Sequence, residues 1–177
     1  GRKLGGKAIK YGGMAAVGGL AYKAYRDWQA GKQVSADPAP LAIEKPGPET
    51  GFDVDHDRDA RGDDFRLVLV RAMIAAANAD DHIDGEEHKH IRAQVDQMGL
   101  GAEEKAVLYD YLSDPADAAT IAGLARTEEQ KAEIYLASAL SIDPDTPQEQ
   151  AYLTDLAGRL SLPKGLSGYL DAEAASV

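Results

Sequence analysis

The chain predicts an all-α fold, and three observations carry the prediction. Alanine is abundant while aromatic residues make up only 6% of the sequence, a composition that suits helices packed through small and aliphatic side chains better than a β-sandwich. Apolar residues recur at helical spacing between N-cap signals. One helix–turn–helix pattern also occurs twice in a single register, setting Asp81 on Asp143 and Glu87 on Glu149, 62 positions apart (143 − 81). A repeat of this kind implies duplicated three-helix units.

The elements follow in order. Residues 65–79 read as a largely apolar helix, buried on most sides. Asp84 caps the next, whose inner face is Ile91, Val95 and Met98, and 102–112 makes a third with Val107, Leu108 and Leu112 inward. Asp114-Pro115 is expected to open a short linker helix, the acid as N-cap and the proline at the first helical position. Thr127-Glu128-Glu129-Gln130 is a capping box starting a helix to about 141, and Thr146-Pro147-Gln148-Glu149 is another. A helix over 163–173 closes the set. No strand pattern and no nucleotide-binding glycine loop is present in the sequence.

Charge and composition divide the chain into three zones, 1–33, 34–62 and 63–177. The net charge of −11 is uneven. Residues 1–33 carry seven bases and one acid, +6, which leaves 12 bases and 29 acids, −17, for the rest. An acidic body repels phosphate backbones, which argues against nucleic-acid binding by the folded part. Within 1–33 the uncharged stretch 11–22 is twelve residues long, and a membrane-spanning helix needs about 20. Flanking lysines and arginines suit anionic headgroups, and Tyr22, Tyr25 and Trp28 suit a membrane interface. Residues 1–32 are therefore expected to form a glycine-rich segment associated with an anionic membrane; a flexible glycine-rich tail is the alternative. Lys23 stands where a signal-peptide cleavage site needs small neutral residues. Residues 34–62, with Pro38, Pro40, Pro46, Pro48 and the alternating Asp53, Asp55, Asp57 and Asp59, are expected to be a disordered linker and a solvated acidic run. The Asp-x-Asp-x-Asp spacing lacks the glycine and distal glutamate of an EF-hand. Residues 63–177 are the expected folded domain.

The acidic turns are the candidate site. Asp84 with Glu87, and Thr146 with Glu149, have the spacing of reciprocal N-capping. Capping does not account for Asp80, Asp81, Asp143 and Asp145, which add anions at the C-terminal end of a helix, where the macrodipole disfavours them. Carboxylates without cysteine favour a hard divalent cation, Ca²⁺, Mg²⁺ or Mn²⁺. The candidate metal ligands are Asp80, Asp84, Glu87, Asp143, Asp145 and Glu149. His88 and His90 are two apart on a helix and point to different sides, and His82 lies in the turn, so surface histidines are expected rather than a zinc site. Nucleophilic catalysis has no support, because the chain has no cysteine and no serine in a recognisable elbow.

The stretch from Ala79 to Glu87, Ala-Asp-Asp-His-Ile-Asp-Gly-Glu-Glu, resembles the A-D-G-x-I-D-x-x-E signature of TerB-like (tellurite-resistance) domains. The opening Gly-Arg-Lys-Leu-Gly-Gly-Lys-Ala, with Tyr22-Lys23-Ala24-Tyr25 and Trp28, resembles the YebE-like inner-membrane branch of that superfamily, whose function is unknown. The resemblance implies an all-helical domain with internal two-fold pseudosymmetry, a bacterial inner-membrane setting and a metal site at the acidic turns. Its motif acids map to Asp80, Asp84 and Glu87, with Asp143 and Glu149 in the second turn, while Asp81 stands where glycine is usual. The expected function is a non-enzymatic, membrane-tethered helical module binding a divalent cation in an envelope or metal-stress response. A scaffold for an unknown protein partner, with the turns acting only as caps, is the rival reading. A hydrolase using the same carboxylates is a third.

Overall fold

A computed structural model describes residues 14–34, 45–79, 85–142 and 146–176, without the side chains of Glu87, His90 and Gln94. Among these residues the fold is all-helical. Its α-helices are α1 (Met14–Gln29), α2 (Phe65–Ala77), α3 (Gly85–Gln97), α4 (Ala102–Ser113), α5 (Ala118–Ala122), α6 (Glu128–Leu140), α7 (Pro147–Leu160) and α8 (Leu166–Ser176), with a 3₁₀ turn at Pro48–Thr50.

Local sequence explains four of the helix starts. The Asp64 carboxylate accepts from the Arg66 N–H and begins α2. Thr127 Oγ1 accepts from the Gln130 N–H at 3.1 Å, and Thr146 Oγ1 from the Glu149 N–H at 3.2 Å, so both threonines satisfy an N–H that the helix itself leaves without a partner. The Gln130 side chain departs from the reciprocal pattern, accepting from the Arg126 N–H rather than that of Thr127. The short helix also starts later than Asp114-Pro115 suggests. Asp117 is its N-cap, accepting from the Thr120 N–H at 2.8 Å. In α4 Leu108 is buried and Leu112 half-buried, but Val107 is 51% exposed and not inward. His88 is half-buried, its Nδ1 taking a hydrogen bond from Arg92 Nε. His82 and the His90 side chain lie outside the described residues.

Two helices make the centre. α6 buries every residue from Ala132 to Ser138, and α2 buries Phe65, Val68 to Val70 and Ala72 to Ala77. They lie against each other in the most extensive helix pairing of the fold. The alanines of α2 let the backbones approach closely, so contact here comes from many small side chains. α3 and α4 pack on α2, α7 packs on α5 and α6, and α8 packs on α6.

The described residues before 63, 14–34 and 45–62, join this core, which differs from the expected division at residue 63. α1 packs on α6 and α8 and buries Met14, Ala16, Val17, Gly18, Leu20, Ala21 and Ala24. The apolar residues assigned to a membrane therefore lie, from Met14 onward, inside the protein. Tyr22 and Tyr25 sit with ring centroids 5.4 and 5.6 Å from Phe52, and Trp28 donates its indole N–H to the Lys164 carbonyl at 3.1 Å. An aromatic ring with a polar tip satisfies a membrane interface and a half-buried protein junction equally well.

The described part of the expected linker, 45–62, is ordered against the helices. Phe52 and Val54 are 2% and 1% exposed. Gly51, in the left-handed conformation at φ 80°, turns the chain from the 3₁₀ turn into Phe52. The Ala60 N–H donates to the Leu124 carbonyl, and both Arg126 Nε and Gln130 Nε2 donate to the Arg58 carbonyl. The alternating aspartates are not uniformly solvated, since Asp53 and Asp59 are buried. Asp59 Oδ1 accepts from the N–H groups of Arg61 and Asp63, closing a turn next to the Arg58–Asp64 bridge. Proline and aspartate content predicts disorder only when no outside surface covers the few apolar residues, and here α1 and α6 supply it.

Candidate functional site

Of the six predicted ligands, Asp80, Asp84, Asp143 and Asp145 lie outside the described residues. Glu87 lies in the first turn of α3, with its side chain undescribed. Glu149 is described. It occupies the first turn of α7, is 1% exposed, and gives its N–H to Thr146. This is the position at which a carboxylate favours the positive end of a helix. Among the described residues, no three His, Asp or Glu side chains are grouped so as to hold a metal ion.

The described residues bring a different set of carboxylates together, where residues 52–57, α1 and α6 meet. Glu133 of α6 is fully buried, and neither carboxylate oxygen has a hydrogen-bond partner among the described residues. Its Oε2, the Phe52 carbonyl and Val54 all face Gly18 of α1: a Cβ placed on Gly18 would stand 2.4 Å from Phe52 O, 3.1 Å from Val54 Cγ2 and 3.4 Å from Glu133 Oε2. Only a residue without a side chain lets α1 approach here. Asp53 Oδ1 and Asp57 Oδ2 are also buried without a hydrogen-bond partner among the described residues. The other oxygen of Asp53 meets His56 Nδ1 at 2.8 Å, and Lys45 Nζ lies 3.0 Å from Asp55 and 4.0 Å from Asp53.

Burial holds the Glu133 carboxyl well above the usual glutamate range, and the charges of Asp57, Glu129 and Asp53 push it the same way. Asp57 is raised for the same two reasons, burial and then Asp53, against an opposing pull from Arg126. A group of this kind can hold a proton at a pH where an ordinary glutamate has lost it. Helical periodicity alone does not single out Glu133. Its signal was the position itself, a lone acid inside the uncharged run Ala132, Ile134, Tyr135, Leu136 and Ala137, where every side of the helix is covered.

A family model described as a protein of unknown function (DUF533) matches residues 1–174. An uncharacterized protein in the ampR 5′ region of Yersinia enterocolitica is 28% identical over 96 residues, covering 54% of this chain and 69% of that relative. No solved structure matches the chain.

Proposed function

Because the chain belongs to the DUF533 family, whose function is unknown, we propose its role from charge and geometry: a non-enzymatic helical module held at a bacterial inner membrane by its N-terminal residues, with a divalent cation bound at its acidic turns. The observation behind the tether is the way basic charge is distributed around α1. Lys23 pairs with Asp27 and Glu173, and Lys32 with Asp27, so these charges are engaged within the protein. Arg2, Lys3, Lys7 and Lys10 precede α1 with no acid among them. Four bases next to an acidic body favour an anionic lipid surface over a neutral one. Met14, the first described residue of α1, is already buried in the core, so membrane contact through residues 1–13 would act directly beside the folded domain.

The order three helices, short helix, three helices supports reading Phe65–Ser113 and Glu128–Ser176 as duplicated units. The likeness to TerB-like domains supports the cation and a metal-stress setting. A protein-interaction scaffold is the second reading, favoured by the Thr146 cap, which gives the second turn a helix-starting role that needs no ion.

Co-sedimentation with anionic vesicles at low salt tests the tether. Full-length protein should pellet, and protein lacking residues 1–13 should not; equal partitioning would remove the membrane from the reading. Melting with chelator and with Ca²⁺, Mg²⁺ or Mn²⁺ tests the turns. An ion should raise the midpoint of the parent but not of the Asp80→Asn, Asp143→Asn double variant. If no ion moves the parent, the scaffold reading holds.

A further inference from the structure

Four carboxylate oxygens of three residues, Glu133 Oε1 and Oε2, Asp53 Oδ1 and Asp57 Oδ2, are buried without a hydrogen-bond partner among the described residues. They belong to one junction, in which Glu133 is wholly enclosed by α6, Gly18 of α1 and residues 52–54. Acceptors facing acceptors repel, and an unsatisfied buried carboxylate is costly. A proton removes the charge and adds the one donor the junction lacks. We propose that Glu133 is a proton-binding site that latches residues 52–57 and α1 onto α6, so that loss of the proton loosens the segment 45–62.

The surroundings make the proton the fitting ligand. Lys45 and His56 stand on the outer side of Asp53, and Arg126 is engaged with the Arg58 carbonyl, so none of these bases reaches Glu133 with a hydrogen bond. The groups acting on it are acids: Asp57 and Asp53 from the segment and Glu129 from α6. The other helices packed on α6 bring charges with partners of their own: Lys23 and Asp27 on α1 with Glu173 on α8, Asp171 on α8 with the Tyr135 hydroxyl, Asp64 at the start of α2 with Arg66, and Arg71 of α2, whose guanidinium lies over the Tyr111 ring and not against Glu133. A proton needs no coordination shell, whereas the described residues offer no three-residue set to a metal. On release, the carboxyl O–H breaks, its electron pair stays on the carboxylate, and the proton passes to water as the segment moves off.

The sign follows from linkage. Glu133 is held above the ordinary glutamate range when enclosed and returns to it when the segment opens, so opening releases a proton. The latch is full strength below the ordinary glutamate range. It weakens as pH rises, the open population growing about tenfold per pH unit until the enclosed group has itself titrated.

Hydrogen exchange of the full chain from pH 5.5 to 9, corrected for intrinsic rates, reads this directly. Protection of 45–62 should fall steeply with pH in the parent and far less in Glu133→Gln, which is neutral at that position throughout and leaves only the smaller contribution of Asp57. A parent that is flat, or a Glu133→Gln profile that follows the parent, overturns the proposal. Should that variant fail to fold, the ¹³C shift of the Glu133 carboxyl in the parent decides. A midpoint well above the ordinary glutamate range, lowered by Asp57→Asn, supports the latch; an ordinary midpoint ends it. Protection restored at high pH by Ca²⁺, Mg²⁺ or Mn²⁺ and removed by chelator would make the junction a metal site and overturn the proton reading.

Discussion

Replacing Gly18 by alanine sets two physical effects against each other, and the structure decides the sign. Alanine inside a helix is favoured over glycine by about 1 kcal/mol, because glycine loses more backbone freedom on folding. By that effect alone the substitution would stabilise α1. The new methyl, however, would stand 2.4 Å from the Phe52 carbonyl oxygen and 3.1 Å from Val54 Cγ2. Ordinary contact begins at 3.4 Å, so relief needs a movement of about 1.0 Å (3.4 − 2.4) between α1 and the segment. The nearest obstacle is backbone, which cannot rotate away. Overpacking of this kind costs about 1–3 kcal/mol, and a gap of ~1 Å opened beside it forfeits up to about half the dispersion energy of the contacts it separates. The net expectation is a loss of about 1–2 kcal/mol, or roughly 2–8 °C in melting midpoint for a domain of this size. Gly168→Ala in α8 is the control, because nothing lies within 4 Å of its Cβ position; it should gain up to about 1 kcal/mol. Urea and thermal melts of both variants test the pair. If Gly18→Ala is as stabilising as Gly168→Ala, α1 is not seated against residue 52 and the docking of 45–62 is wrong.

Phe52→Ala removes a 2% exposed ring lying between Tyr22 and Tyr25; a loss of about 3–5 kcal/mol is expected, with limited proteolysis moving to 45–62 as the first site of cleavage. Thr146→Ala removes the cap of α7 and should cost about 1 kcal/mol by denaturant melts, the same with chelator as with Ca²⁺. Asp64→Asn probes a pH effect opposite in sign to that of Glu133. Burial works to raise the Asp64 carboxyl, but the hydrogen bonds and charge of Arg66 prevail and hold it below the usual range. Its contribution is therefore present above the ordinary aspartate range and is lost as pH falls through the lowered value. Melts should show the variant less stable than the parent at neutral pH and the gap closing in acid.

Which stretches after residue 63 are helical was legible in the sequence, because propensity, capping and the 3.6-residue period act over a few residues. Thr127 and Thr146 start their helices where their hydroxyls reach an N–H three residues on. Asp117, extended and just before α5, caps that helix in place of Asp114, with residues 115 and 116 outside the helix, and the short α5 packs on α7. The tertiary structure alone decided where residues 14–34 and 45–62 lie. Gly18, Phe52 and Glu133 meet across 115 positions (133 − 18), and Trp28 reaches the Lys164 carbonyl; neither contact leaves a periodic trace. The aromatic and apolar residues of α1 have the same chemistry in lipid and in a protein core, so sequence could say that they need cover but not which cover they find. For Glu133 the sequence carried a weak sign, one acid in an apolar run. Its burial among Asp53 and Asp57 depends on a segment whose few apolar side chains could not have ordered it alone, and which α1 and α6 hold in place by enclosing Phe52 and Val54.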